Sequence, residues 1–361
     1  MGIALFPLIC ALPSAARADL VVWTTLGPIE GRSTEAYDQS TVNQYFGIPF
    51  AAPPVGDLRF AAPTAHTGWN DTRTVTEHGG CCVQAGSAAR ADSSVAAVQG
   101  KEDCLVLDVY APPPGSAPRQ VLVWFYGGSF LEGCINLYDG TNLAAATGAV
   151  VVMINYRLSA LGYLGLPEQL ADGSTNVGLR DMEFGLQWVQ ANAAAFGGDS
   201  KRVAIFGQSA GGAAVLFQLV MPQAASLFHA AILQSPGGKK DWVQDLKDAD
   251  NDMLTKEEVV NKSLALAETH GCTEEADRLA CMRKLSVEKI LAEPYGRFAP
   301  GIDGELIADN PRTLVLAGRW AKMPVIIGGT SCESCAGQGM YVQPGPPRNI
   351  SEAEYKEVIR P

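Results

Sequence analysis

Histidine is scarce in this 361-residue sequence: there are four, at His66, His78, His229 and His270. Any chemistry that needs an imidazole has few places to find one. Positive charge is also short, with 27 Lys and Arg against 38 Asp and Glu and a net charge of −11. That balance argues against a nucleic-acid or anionic-membrane partner. The acidity is spread along the chain rather than gathered in a tail, and reads as a solvated surface. No internal repeat and no low-complexity tract occurs. The single conspicuous apolar run, Ile3 to Leu12, is too short to span a bilayer as a helix, so no stable membrane span is expected. What the sequence does have is apolar substance: 47% of its residues are hydrophobic, enough for one large domain or two ordinary ones.

The first twenty residues, MGIALFPLICALPSAARADL, place that apolar run before Ala16-Arg17-Ala18, an A-x-A cleavage pattern. Residues 1–18 are expected to be a secretory signal, though its start lacks Lys or Arg, and the mature domain to run from 19 to 361. Nine cysteines fit an oxidising, extracellular compartment. Cys10 would leave with the signal. The other eight are Cys81, Cys82, Cys104, Cys134, Cys272, Cys281, Cys332 and Cys335. Their even number implies disulfides without fixing the connectivity. Asn-x-Ser/Thr sequons at Asn70, Asn261 and Asn349 mark candidate glycosylation sites.

Apolar, β-rich runs at Val121–Tyr126, Ala149–Asn155, Arg202–Phe206, Ala230–Gln234 and Pro324–Ile327 read as buried strands of a mostly parallel sheet. Between the second and third, Leu179, Met182, Leu186, Val189 and Ala193 recur at steps of three and four, the spacing of one helix face. Gly197-Gly198 ends that helix. Strand, helix and strand in this order make a βαβ unit. The first hundred residues are rich in Gly, Pro and short β-like runs and suit an antiparallel lead-in. Lys239–Pro294 is charged and helical and reads as a surface insertion. Ser351 to Glu354 offers a capping box for a last helix.

The stretch FGQSAGG, residues 206–212, carries the chemistry. G-x-S-x-G alone is a weak signal, but here it follows a predicted strand and precedes a predicted helix. A serine forced to the apex of such a turn needs Gly207 and Gly211 beside it, because side chains there would collide. Ser209 is then an exposed nucleophile, and the backbone N–H of Ala210 faces the reacting carbonyl oxygen. Further donors come from the glycine-rich WFYGGSF run, residues 124–130.

With these pieces in place the chain resembles the type-B carboxylesterases, the family of cholinesterases and many secreted fungal lipases. The matching segments are YFGIPFAAPPVGDLRF, EDCLVLDVYAP, VWFYGGSF, INYRLSALGYLG, NVGLRDMEFGLQWVQANAAAFGGD, VAIFGQSAGG, LFHAAILQS and MPVIIGG, in order through nearly the whole length. The resemblance implies an α/β-hydrolase fold and ester hydrolysis through an acyl-enzyme. It implies Ser209 as nucleophile and Gly128, Ser129 and Ala210 as oxyanion donors, with Ser129 standing where the family usually has glycine. It implies Glu333, five residues after Gly328, as the acidic partner of the base, although Ser334 replaces the usual following glycine. Cys82 with Cys104, and Cys272 with Cys281, resemble the family's disulfides. Arg59 with Glu102, and Arg157 with Asp181, resemble its buried ion pairs. Cys332 and Cys335 form a C-x-x-C with no companion ligands, which reads as a local disulfide or as pairing with cysteines in missing sequence rather than as a redox or metal site; no metal and no cofactor is expected.

The family's catalytic histidine follows the acidic residue, and no histidine follows Glu333 here. The expectation is therefore a domain whose C-terminal part is missing, leaving one sheet edge uncovered. As it stands such a chain would be inactive or nearly so and marginally stable, because serine without a base is a weak nucleophile. Gln208 precedes the nucleophile where cholinesterases carry glutamate. The expected substrates are thus neutral or lipid-like esters rather than choline esters. The alternative is a non-catalytic, cholinesterase-like binding or adhesion module.

Overall fold

The computed structural model describes residues 20–85, 98–236, 254–291 and 298–330. The expected signal segment 1–18, Glu333, Cys332, Cys335, Asn349 and the expected capping box at Ser351 lie outside these residues.

Two hairpins open the described chain. β1 (Val21–Thr24) pairs antiparallel with β2 (Gly27–Glu30), and the short β5 (Arg73–Thr74) joins β2 in parallel. β3 (Arg32–Glu35) and β4 (Thr41–Pro49) form the second hairpin and start the main sheet. β6 (Gln84–Ala85) and β7 (Val98–Gln99) make a separate ribbon. The main sheet adds β8 (Val106–Ala111), β9 (Arg119–Phe125), β10 (Val150–Ile154), β11 (Gly198–Gln208), β12 (Ala230–Gln234) and β13 (Val325–Gly328). Its order is β13-β12-β11-β9-β10-β8-β4-β3. From β10 to β13 every neighbour is parallel, whereas β8, β4 and β3 run antiparallel. The parallel half comes from the apolar runs and the antiparallel half from the Gly- and Pro-rich lead-in.

Composition explains the layering. All residues of β8 and β10 are buried, as central strands covered on both faces must be. The helix Val177–Asn192 turns Leu179, Met182, Leu186 and Val189 inward. Each such side chain contributes about 1.5–3 kcal/mol when fully buried. A 3₁₀ turn, Ala193–Phe196, extends it, and the chain escapes through Gly197 in the left-handed region (φ 77°) before entering β11. Where the helix begins, the Arg157 guanidinium donates to both carboxylate oxygens of the fully buried Asp181, at 2.8 and 2.7 Å.

One reading is corrected. Lys239–Pro294 is more than a surface insertion in its described part. The helix Lys256–Thr269 buries Val259, Ser263, Leu266 and Ala267, and Ser263 Oγ accepts from Gly165 N–H at 2.9 Å. Arg59 reaches the carbonyls of Arg283 and Leu285 while holding Glu102. Charged residues on one face had concealed an inward face at helical spacing.

At the far end of the sheet, β13 exposes Val325, Ile326 and Ile327 (38, 65 and 61%). Among the described residues no strand pairs with its outer flank.

Candidate active site

Parallel strands deliver their C-terminal ends to one edge. The register sets Phe125 of β9 beside Gly207 of β11, Gln208 beside Gln234 of β12, and Gln234 beside Gly328 of β13. The chain segments that follow therefore emerge together. This is where parallel α/β sheets collect functional groups.

Ser209 leaves β11 with φ 56° and ψ −124°, and the helix Ala210–Val220 starts at the next residue. That backbone is disfavoured for a residue with a side chain. It is held in place: Ser209 N–H donates to Gln234 O and Ser209 O accepts from Ala213 N–H, each at 2.9 Å. The flanking glycines answer a backbone crowding rather than a side-chain one. A Cβ on Gly207 would strike the Gly211 carbonyl, and one on Gly211 would strike the Phe125 carbonyl. Ser209 is half-buried and Gln208 exposed. Ala210 is the first helical residue, so its N–H has no intrahelical acceptor. The helix dipole also favours negative charge at this point.

The glycine-rich loop after β9 meets the same spot. A Cβ on Gly127 would lie 3.1 Å from Ser209 Cβ and 2.7 Å from Gln208 O. Gly128, Ser129 and Phe130 all take positive φ (117°, 60° and 60°). The Gly128 carbonyl accepts from Leu131 and Glu132 N–H inside this turn, at 3.0 and 3.1 Å. Phe130 is anchored among Tyr156, Tyr163 and Phe217. Gly128, Ser129, Ala210 and Ser209 thus share one edge. Glu333 lies outside the described residues; Gly328, five positions before it in the sequence, ends β13 on that edge.

The four histidines sit elsewhere. His229 N–H donates to Val203 O at 2.7 Å. It therefore stands six residues below Ser209, roughly 20 Å away at about 3.3 Å per residue. His66 packs edge-on against Trp69 beside the β1–β2 hairpin. That hairpin is tied to Asn192 at the opposite end of β11. His78 bonds the fully buried Asp108 at 2.6 Å and stacks on Phe46 at 4.2 Å. Asp108 lies three strands across from β11, in the row of Met153, Trp124 and Phe206. This bond, with the nearby Asp108 and Glu77 charges, raises the His78 pKa against burial and Arg32. His270 closes the helix Lys256–Thr269, its Nε2 buried without a hydrogen-bond partner among the described residues.

Disulfides join Cys82 to Cys104 and Cys272 to Cys281. A third, Cys81–Cys134, ties the loop after β9 to the segment before β6. Cysteine parity allowed this pair but did not single it out. Among the described residues no His, Cys, Asp and Glu cluster could hold a metal. No described helix is long and apolar enough to cross a membrane.

Residues 18–358 match the model of the Carboxylesterase family. The chain belongs to the carboxylesterase family. Its sheet and helices are accordingly those of an α/β-hydrolase. It is similar to the cholinesterase of Mus musculus, with 35% identity over 90% of this chain and 55% of that protein. With the acetylcholinesterase of Bungarus fasciatus it shares 32% identity over 98% of this chain and 60% of the relative. For the acetylcholinesterase of Danio rerio the figures are 33%, 87% and 51%. The carboxylesterase chain described here thus spans between about half and three fifths of these relatives' length.

Proposed function

We propose that this chain carries the acylating centre of a secreted serine carboxylic ester hydrolase. The observation that carries the reading is Ser209, held at a left-handed φ on the tip of β11 with the Gly127–Phe130 loop pressed against it. In this reading Ser209 Oγ attacks the ester carbonyl. Its proton passes to a base and then to the departing alkoxide, which leaves as the alcohol. Water cleaves the acyl-serine by the reverse proton transfers and releases the acid. The backbone N–H groups of Gly128, Ser129 and Ala210 receive the charge that develops on the carbonyl oxygen. Each such donor is worth roughly 10²–10³ in rate. Glu333 orients the base.

None of the four histidines stands beside Ser209, so the proposal assigns the role of base to none of them. Gln208 beside the nucleophile carries no charge, which supports neutral or lipid-like esters over cationic ones. Three disulfides among the described residues support an oxidising, extracellular site and a cleaved leader at 1–18. Asn70 and Asn261 are exposed, as glycan acceptors must be. Asn349 completes the proposed set. A second reading, a non-catalytic binding module, draws on the placement of those histidines away from Ser209.

The experiment is fluorophosphonate labelling of the complete product beside its Ser209→Ala variant, with turnover of neutral 4-nitrophenyl esters. Labelling at Ser209 and turnover lost in the variant are expected. A complete product that neither labels nor turns over is the binding module instead.

A further inference from the structure

We infer that the Cys81–Cys134 disulfide and the Gln84 side chain are positioning elements that hold the proposed oxyanion loop in its catalytic shape. This rests on the reading of Ser209 and Gly127–Phe130 given above.

The loop's conformation is not one its residues choose. Ser129 and Phe130 both take positive φ, directly after Gly128 and shortly before Gly133 at φ 124°. For residues with side chains this backbone persists only when the surroundings over-determine it. At the entry to the loop the surroundings are plain. The Tyr126 and Tyr156 rings stack at 4.3 Å, and each phenol donates to the other's carbonyl, at 3.1 and 2.6 Å.

The exit is braced from outside. Cys134 is bonded to Cys81. One residue earlier, the Gln84 amide grips Gly133 from both sides: Nε2 donates to its carbonyl at 2.9 Å and Oε1 accepts from its N–H at 3.0 Å. One residue later, Ile135 N–H donates to Asn155 Oδ1 at 3.2 Å, while Asn155 Nδ2 donates to Gly80 O at 2.8 Å. Three consecutive residues, 133 to 135, are thus tied to the segment 80–84.

That segment is fixed in turn. Cys82 is bonded to Cys104, just ahead of β8, and pairs with Lys101. Neighbouring residues of an extended chain project in opposite directions. Cys81 and Cys82 use this to fasten one backbone to two places, the loop and the main sheet. The loop also closes on itself at this point: a Cβ on Gly133 would lie 2.6 Å from Gly127 O. A shift at 133–134 is therefore felt at the residue that touches Ser209. Misplacement by about 1 Å in such a site costs on the order of 10²-fold in rate.

The test compares two double variants of the complete product, Cys81→Ala/Cys134→Ala and Cys272→Ala/Cys281→Ala. Each loses one disulfide and leaves no free thiol from it, but only the first touches the loop. Peptide mapping of the wild type is expected to recover Cys81 joined to Cys134. In the first variant, amide hydrogen exchange across 127–135 is expected to quicken at least about tenfold. Its kcat on a neutral 4-nitrophenyl ester is expected to fall at least about tenfold, with KM within about twofold. The second variant is expected to keep kcat within about twofold of wild type. If the first fails to accumulate, Gln84→Ala decides, with the same signs and a smaller loss.

Unchanged exchange at 127–135, an equal fall of kcat in the second variant, or Cys81 recovered on another cysteine would overturn the inference. A wild type without labelling or turnover removes the reading of Ser209 and the catalytic half of this one. The exchange rates still decide whether the brace holds the loop.

Discussion

Replacing Ser209 by glycine is expected to leave the protein more stable than replacing it by alanine. Both changes remove the hydroxyl, so they differ only in what a Cβ costs at φ 56° and ψ −124°. A residue with a side chain held in so sparsely populated a region costs on the order of 1–3 kcal/mol. Glycine escapes that strain but loses more chain entropy on folding, about 0.5–1 kcal/mol relative to alanine. The difference leaves Ser209→Gly ahead of Ser209→Ala by about 1 kcal/mol, equivalent to roughly 2 °C in melting temperature for a chain of this size. Wild type should sit beside the alanine variant, since serine bears the same Cβ. Urea midpoints and thermal scans of the three proteins under one buffer would read this directly. Neither variant should label with a fluorophosphonate. If alanine equals or exceeds glycine in stability, the turn at Ser209 is not strained, and the argument that the site stores conformational energy fails.

Other consequences are equally concrete. Asp181→Asn leaves the buried Arg157 charge without its counterion and should cost roughly 3–5 kcal/mol in urea denaturation. The double change Arg157→Met/Asp181→Leu should cost less than that single one, and a loss below about 1 kcal/mol for Asp181→Asn would contradict the account. Gly127→Ala drives a methyl against Gln208 O and Ser209 Cβ. It should slow fluorophosphonate labelling of the complete product at least about tenfold, for a stability cost of about 1–3 kcal/mol. The His78 pKa is raised by its bond to Asp108, so the stabilisation from that pair is complete below the ordinary histidine value of about 6.5. It is lost as pH climbs through the raised value. His78→Gln should therefore lower the melting temperature more near about pH 5.5 than near about pH 8.5. An equal drop at both would show that the pair carries no proton linkage.

Much of this was legible in the residues because it depends on neighbours along the chain. β9, β10 and β12 coincide closely with the apolar runs, since a strand covered on both faces has no reason to alternate, whereas β11 (Gly198–Gln208) extends well beyond the run Arg202–Phe206. The elbow could be read from three positions, because its crowding is among residues 207 to 211 and the adjacent strand. The helix after Ser209 begins at once, at Ala210. Ala-Gly-Gly is a poor helical start, but all eleven residues of Ala210–Val220 are buried, and packing on every side outweighs propensity. Lys256–Thr269 misled in the opposite sense, its charged face hiding Val259, Leu266 and Ala267. Cys81–Cys134 and His78–Asp108 join residues 53 and 30 positions apart. Only the fold brings them together, and nothing local announces it.

The exposed flank of β13 has a practical consequence for anyone who purifies this polypeptide. Among the described residues no strand pairs with that flank, and an open edge lined by isoleucine invites hydrogen bonding from any extended chain that drifts alongside, including another molecule of the same kind. Solubility should consequently fall with concentration well before the fold itself gives way, and Ile326→Lys should delay that clouding while leaving the urea midpoint where it was.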